Sequence, residues 1–151
     1  MNKHLNYNDK EDEPRILYEP KDILLRADRI RIPQVISNLL SYAIKFTPEG
    51  TISIISSLNS IDKNDNEAIV IIKDNGQGIY SDMLPSLFSK FAAKSFAGTG
   101  LGLFICKSIV EAHGGRIWVQ NNSDTKGAIF SFTHPLDKLS RKIGIGVLKM
   151  K

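Results

Sequence analysis

Two glycine-spaced segments in a fixed order constrain this chain more than any other feature: DNGQGI at 74–79 and GTGLGL at 98–103, with LFSKF at 87–91 between them. Residues 68–73 form a short apolar, β-branched run, which reads as a buried strand that delivers Asp74 to its end. Gly76 and Gly78 then let the backbone turn tightly and approach a flat ligand. The second segment opens a helical pattern over 101–113, with Leu101, Ile105, Ile109 and Ala112 spaced for one face.

Each segment has a chemistry. An ionised carboxylate at a strand end accepts hydrogen bonds, and the exocyclic amine of adenine is a donor. Glycines just ahead of a helix leave its first amides free to face an anion. A nucleotide with its base at one end and phosphates at the other satisfies both, so the pair points to an ATP site. Alone, DxGxG is most often an ordinary turn and GxGxG an ordinary loop; the order and the flanking strand and helix favour function. Better-known phosphate signatures are excluded. Leu103 stands where a dinucleotide fingerprint needs its third glycine, no Gly-Lys dipeptide exists for a P-loop, and neither HRD nor DFG follows.

With 151 residues and 42% hydrophobic content, one well-buried core is expected. The division expected is a polar leader or linker remnant at 1–13, one ATP-binding domain at 14–137 and a tail at 138–151 containing IGIGVLKM. The single Cys106 lies inside an apolar helix pattern and reads as a small core residue. A net charge of +4, spread along the chain without a basic stripe, argues against a nucleic-acid partner. No apolar run is long enough to cross a bilayer, so no direct membrane contact is expected of this segment. The expected location is cytoplasmic, with any membrane anchor in other parts of a longer parent protein.

Short apolar runs at 15–18 and 23–25 read as strands. A long helix follows, starting near 29–32 because Pro33 fits only a first turn, and ending at TPEG, 47–50. Ile32, Val35, Ile36, Leu39, Leu40 and Ala43 make its apolar face. Residues 51–58 and 68–73 pair across a polar loop at 60–67, and 116–120 and 128–133 form a second hairpin after the helix stop HGG at 113–115. Two long helices with several hairpins imply an α+β, two-layer sandwich: a mixed, mostly antiparallel sheet with helices on one face.

The segments QVISNLLSYAIKFTPEG, DNGQGI, LFSKF, GTGLGL and IVEAHGGRIWV together resemble the catalytic and ATP-binding domain of sensor histidine kinases, in the superfamily shared with gyrase B, the Hsp90 chaperones and MutL. The likeness covers about 15–136 and implies the Bergerat ATP-binding fold. It implies that Asp74 binds the adenine amine, with Gly76, Gly78 and Ile79 shaping the base pocket. Phe88 and Phe91 would anchor the near end of a flexible lid. Gly98, Thr99, Gly100, Leu101 and Gly102 would form its far hinge and the phosphate-facing helix start. Asn38 would face the phosphates and a magnesium ion, and Lys45 would reach a phosphate oxygen as a point charge. Helical spacing agrees, since Asn38 and Lys45 share a face.

Three departures stand out. Where the family has a second asparagine four residues after the first, this chain has Tyr42, and a neutral phenol is a poor magnesium ligand beside an amide carbonyl. Impaired magnesium binding, a rerouted metal site using Asn38, water and phosphates, or a ring that only caps the pocket all remain open. The lid is short, 92–97, with Lys90 and Lys94 placed to meet phosphate. No phosphoacceptor segment is present: His4, His113 and His134 each read as structural or incidental. The implied activity is protein-histidine kinase, with the acceptor histidine on a separate dimerisation hairpin domain and a response regulator downstream. The alternatives are a degenerate nucleotide-binding interaction module and a serine kinase of the anti-sigma type, which fits KFTPEG and EAHGG less well.

Overall fold

The computed structural model describes residues 14–19, 23–60, 66–92, 100–136 and 147–148. Its strands are β1 (Arg15–Glu19), β2 (Ile23–Leu24), β3 (Thr51–Ser60), β4 (Asn66–Asp74), β5 (Ile117–Asn121), β6 (Ala128–Pro135) and β7 (Val147–Leu148). The helices are α1 (Arg31–Phe46) and α2 (Gly102–Ala112), with a 3₁₀ turn at Leu84–Ser86.

Alternation in β3 and β4 decides which face of the sheet is buried. Ile52 and Ile54 of β3, Val70 and Ile72 of β4, and Phe130 and Phe132 of β6 enter one core with residues of both helices. The five-stranded sheet has the order β1-β3-β4-β6-β5, and α1 and α2 pack against each other and against its strands. This is the two-layer α+β sandwich expected from the sequence. The sheet is less hairpin-like than the spacing suggests: β1 runs parallel to β3, with α1 in the crossover, and β4 meets β6 only after α2 and β5. The remaining pairs are antiparallel.

Local signals account for the helix limits. Asp28 Oδ1 accepts from the amides of Ile30 and Arg31 at 2.8 and 2.9 Å, which serves the exposed donors at the start of α1. These two amides, Arg31 first, hold the Asp28 carboxyl below its usual range. Pro33 sits in the first turn. α2 stops at His113, where Gly114 takes a φ of +78° and the amides of Gly114 and Gly115 return to Glu111 and Val110.

The phase of α2 differs from the expected one. Leu103, Cys106, Ile109 and Val110 are its buried residues, whereas Ala112 is exposed and Leu101 and Ile105 are half-buried. Lys107, Ser108 and Glu111 lie on its exposed side, and the roughly opposite face packs against α1 and the sheet. Cys106 is a core residue, and burial pushes its thiol up to about 11. The β3–β4 ladder runs out to Ser60 and Asn66, so the polar loop is tighter than 60–67; residues 61–65 lie outside the described set. In the tail, Val147–Leu148 pairs antiparallel with β2, a contact the sequence left undecided.

Phe130 is 1% exposed and meets Tyr42 and Phe88 edge-on at 5.3 and 6.4 Å. Phe130→Ala is expected to lower unfolding free energy by about 3–5 kcal/mol, read by denaturant titration. A loss below about 1 kcal/mol would show that the core is not organised around this ring.

Candidate functional site

Asp74 ends β4 and is 2% exposed. Its Oδ1 accepts from the amides of Gly76 at 2.9 Å and Ala128 at 3.2 Å. Burial raises its pKa above the ordinary 3.8, and the two amides oppose that rise. The Thr47 hydroxyl also acts to lower it, yet Thr47 Oγ1 is buried and completes no hydrogen bond of good geometry.

The loop after Asp74 is shaped by close backbone approach. A side chain at Gly76 would strike the Phe46 carbonyl and come within 2.6 Å of Thr47 Oγ1. Gly78 has a φ of +79°, where glycine is the natural residue. Ile79 packs on the core, and its amide and carbonyl both bond to the Asn121 side chain.

At the other end, an open cleft of about 290 Å³ is lined by Asn38, Ser41, Tyr42, Lys45, Gly100, Gly102 and Leu103. α1 supplies the first four from one face and the start of α2 the rest, as the spacing of Asn38 and Lys45 required. Asn38 Nδ2 donates to the Gly102 carbonyl at 3.5 Å, while its Oδ1 accepts none of the described hydrogen bonds. Leu101 half-buries at the helix N-cap, and a Cβ at Gly102 would meet open space. The start of α2 therefore borders the cleft, with no side chain at Gly102.

The structure brings Asn38, Tyr42, Lys45, Gly100 and Gly102 together in the cleft, and Asp74, Gly76, Gly78 and Ile79 in a second cluster. Tyr42 lies between the two. It is 6% exposed, its ring 4.6 Å from Phe46 and 5.3 Å from Phe130, so it is a core residue as well as a wall of the cleft. Burial first, and then the charge of Asp74, hold its hydroxyl above its ordinary 10.

Phe88 is half-buried against Phe130, but Phe91 is 53% exposed with a φ of +64°. Such a backbone at an aromatic residue stores strain. The Phe91 amide donates to the Gly100 carbonyl at 3.0 Å, closing the base of the lid, and Lys90 Nζ stands 5.6 Å from the Phe91 ring. Lys94, Gly98 and Thr99 lie outside the described residues. Sequence reasoning missed Ser41, Thr47 and Asn121. Ser41 was legible, three residues after Asn38 on the same face; Asn121 had no local signal.

Magnesium needs hard oxygen donors. Among the described residues no group of three His, Cys, Asp or Glu is placed to hold a metal ion. The free Asn38 carbonyl fits the role of a single protein ligand, with phosphates and water completing the shell. Nor is any described helix long and apolar enough to cross a membrane.

The strand-end carboxylate thus lies by the last residues of α1, and the start of α2 lies by Asn38, earlier along the same helix. Over residues 27–138 the sequence matches the histidine kinase-, DNA gyrase B- and HSP90-like ATPases. It is 44% identical over 124 residues to the sensor protein KdpD of Clostridium acetobutylicum, covering 77% of this chain and 13% of that protein. Identity to the sensor histidine kinase WalK of Bacillus subtilis is 37% over 123 residues, covering 76% of this chain and 19% of WalK. The solved catalytic domain of histidine kinase ThkA superposes with a TM-score of 0.63 at 35% identity, covering 80% of this chain and 77% of that one. Full-length ShkA, solved in complex with AMPPNP, gives 0.66 at 29% identity, covering 80% and 25%. The chain belongs to this ATPase family, and it is similar to the catalytic domains of sensor histidine kinases. It spans less than a fifth of the length of either sensor protein.

Because the folded-state pKa of Asp74 is raised, the folded protein binds this proton more tightly than the unfolded chain does. Its contribution to stability is complete below pH 3.8 and is lost as pH rises through the folded value. Asp74→Asn, which keeps an oxygen acceptor for both amides, is therefore expected to be more stable than the parent at pH 7. The gap should close as pH falls towards 3.8, in paired denaturant titrations. A variant less stable at neutral pH would mean that the amides outweigh burial.

Proposed function

We propose that this domain binds Mg-ATP and presents its γ-phosphate to a histidine on a separate dimerisation hairpin domain of a longer parent kinase, with a response regulator accepting the phosphoryl group downstream. The folded unit is 14–137, working in the cytoplasm where ATP is supplied. The observation that carries this reading is Asp74, a buried carboxylate held by two amides at a strand end, with Lys45 and a helix start at the far side of the same core.

In this reading the adenine amine donates to the free face of the Asp74 carboxylate, and Gly76, Gly78 and Ile79 leave room for the ring. Lys45 and the amides from Gly100 to Gly102, with Leu101 between, offset phosphate charge; Thr99, Gly98, Lys94 and Lys90 contribute from the lid. Magnesium would be held by the Asn38 carbonyl and would supply positive charge against the phosphates. Catalysis is then positioning and charge stabilisation for in-line attack by an imidazole nitrogen that this domain orients but does not supply.

The parent domain should bind ATP with magnesium in calorimetric titration, and Asp74→Asn should weaken it at least tenfold by removing the charged acceptor. With an added hairpin domain and ATP, phosphohistidine should form. Tight ATP binding without transfer would favour the non-catalytic module, and unchanged affinity in Asp74→Asn would remove the adenine assignment.

Position 42 is tested with two variants. Tyr42→Phe keeps the ring between Phe46 and Phe130, and should leave stability and magnesium-dependent ATP affinity within about twofold, since we assign the residue a packing role and no metal bond. Tyr42→Asn should lose about 2–4 kcal/mol of stability by emptying that space. Assayed below its lowered melting point, it should gain no magnesium dependence. A gain would show that the tyrosine impairs the metal site.

A further inference from the structure

We infer that Asn121 is the positioning residue of the adenine loop, holding the base pocket in shape without touching the nucleotide; the inference rests on the ATP reading above. Past Asp74 the chain leaves the sheet, and residues 75–79 have no neighbouring strand of their own. Asn75 bonds back to Thr51 through both its backbone and its side chain. At the far end, the Ile79 amide donates to Asn121 Oδ1 at 2.8 Å and Asn121 Nδ2 donates to the Ile79 carbonyl at 2.6 Å. One carboxamide thus replaces a strand residue, and its orientation is set: a flipped amide would oppose two donors and two acceptors.

What makes this more than a surface contact is where Asn121 stands. It is the last residue of β5 and pairs with Ala128. The amide of Ala128 is the one that donates to Asp74 Oδ1. A single rung of the β5–β6 hairpin therefore holds both ends of the loop, Asp74 through Ala128 and Ile79 through Asn121. The hairpin lies against the loop so closely that a side chain at Gly127 would run into the Asp74 carbonyl, and one at Gly78 would stand 3.1 Å from Asn121 Oδ1. No residue of this clamp lines the phosphate cleft. The base end and the phosphate end are supported separately.

Asn121→Ala removes both bonds, and Asn121→Asp, nearly the same size, keeps the acceptor but sets a carboxylate oxygen against the Ile79 carbonyl. Asn121 is exposed, so both variants are expected to fold. In Asn121→Ala, exchange of the Ile79 amide should accelerate at least tenfold in ligand-free protein while the amides of Phe104 to Cys106 in α2 keep their rates. ATP affinity should fall roughly fivefold. Unchanged ATP affinity with a loosened Ile79 would overturn the inference. So would an unaltered Ile79 amide, or equal acceleration in α2, which would mean general destabilisation. Failure of the parent domain itself to bind ATP would overturn the function reading along with this one, and is seen in the same titration.

Discussion

A carboxylate buried at the end of a strand is the constraint on which the rest of this domain turns. Burial penalises the charge at Asp74, and the amides of Gly76 and Ala128 answer only part of that penalty. Both amides must reach one oxygen, which forces the loop after β4 and the turn before β6 against the strand end. The glycines at 76 and 127 follow, because a Cβ at either would collide with backbone.

The two ends of the site are built from different materials. The phosphate end is made by helix packing: α1 and α2 meet through Val35, Leu39 and Cys106, and this contact sets Asn38 and Lys45 over the start of α2. The base end is made by strand pairing, where β3, β4 and β6 fix Asp74 and β5 fixes Ile79. Helix packing tolerates small shifts, whereas a ladder register does not slip by less than a residue. On the proposed reading, the purine would be held on the stiffer support and the polyphosphate on the softer one.

Much of this was legible in the chain. α1 was readable because Pro33 and TPEG bracket a strongly one-sided pattern, and the strand before Asp74 because β-branched residues crowd it. The helix α2 was readable as a helix, but its phase was misjudged: Lys107, Ser108 and Glu111 mark the exposed side, and Leu103, Cys106 and Val110, not Leu101 and Ala112, lie opposite it. Asn121 was invisible because its partner is 42 residues away and nothing in QNNSD distinguishes a loop asparagine from a clamp. The parallel pairing of β1 with β3 was invisible for the same reason: register across a helix crossover is a property of the packed sheet.

Tyr42 shows why a motif position cannot be judged by ligand chemistry alone. Read as a replaced asparagine, it is a loss of a metal ligand. In the folded domain it is the middle of an aromatic row, Phe46 to Tyr42 at 4.6 Å, Tyr42 to Phe130 at 5.3 Å and Phe130 to Phe88 at 6.4 Å. That row runs from the end of α1, beside Asp74, to Phe88, three residues before the Phe91 amide that donates to the Gly100 carbonyl. An asparagine at 42 would offer an oxygen to a cation but would leave the row broken at its centre, with a void between α1 and β6. Core packing and metal ligation would compete for one side chain here, and the ring contacts of Tyr42 show that this side chain is committed to packing.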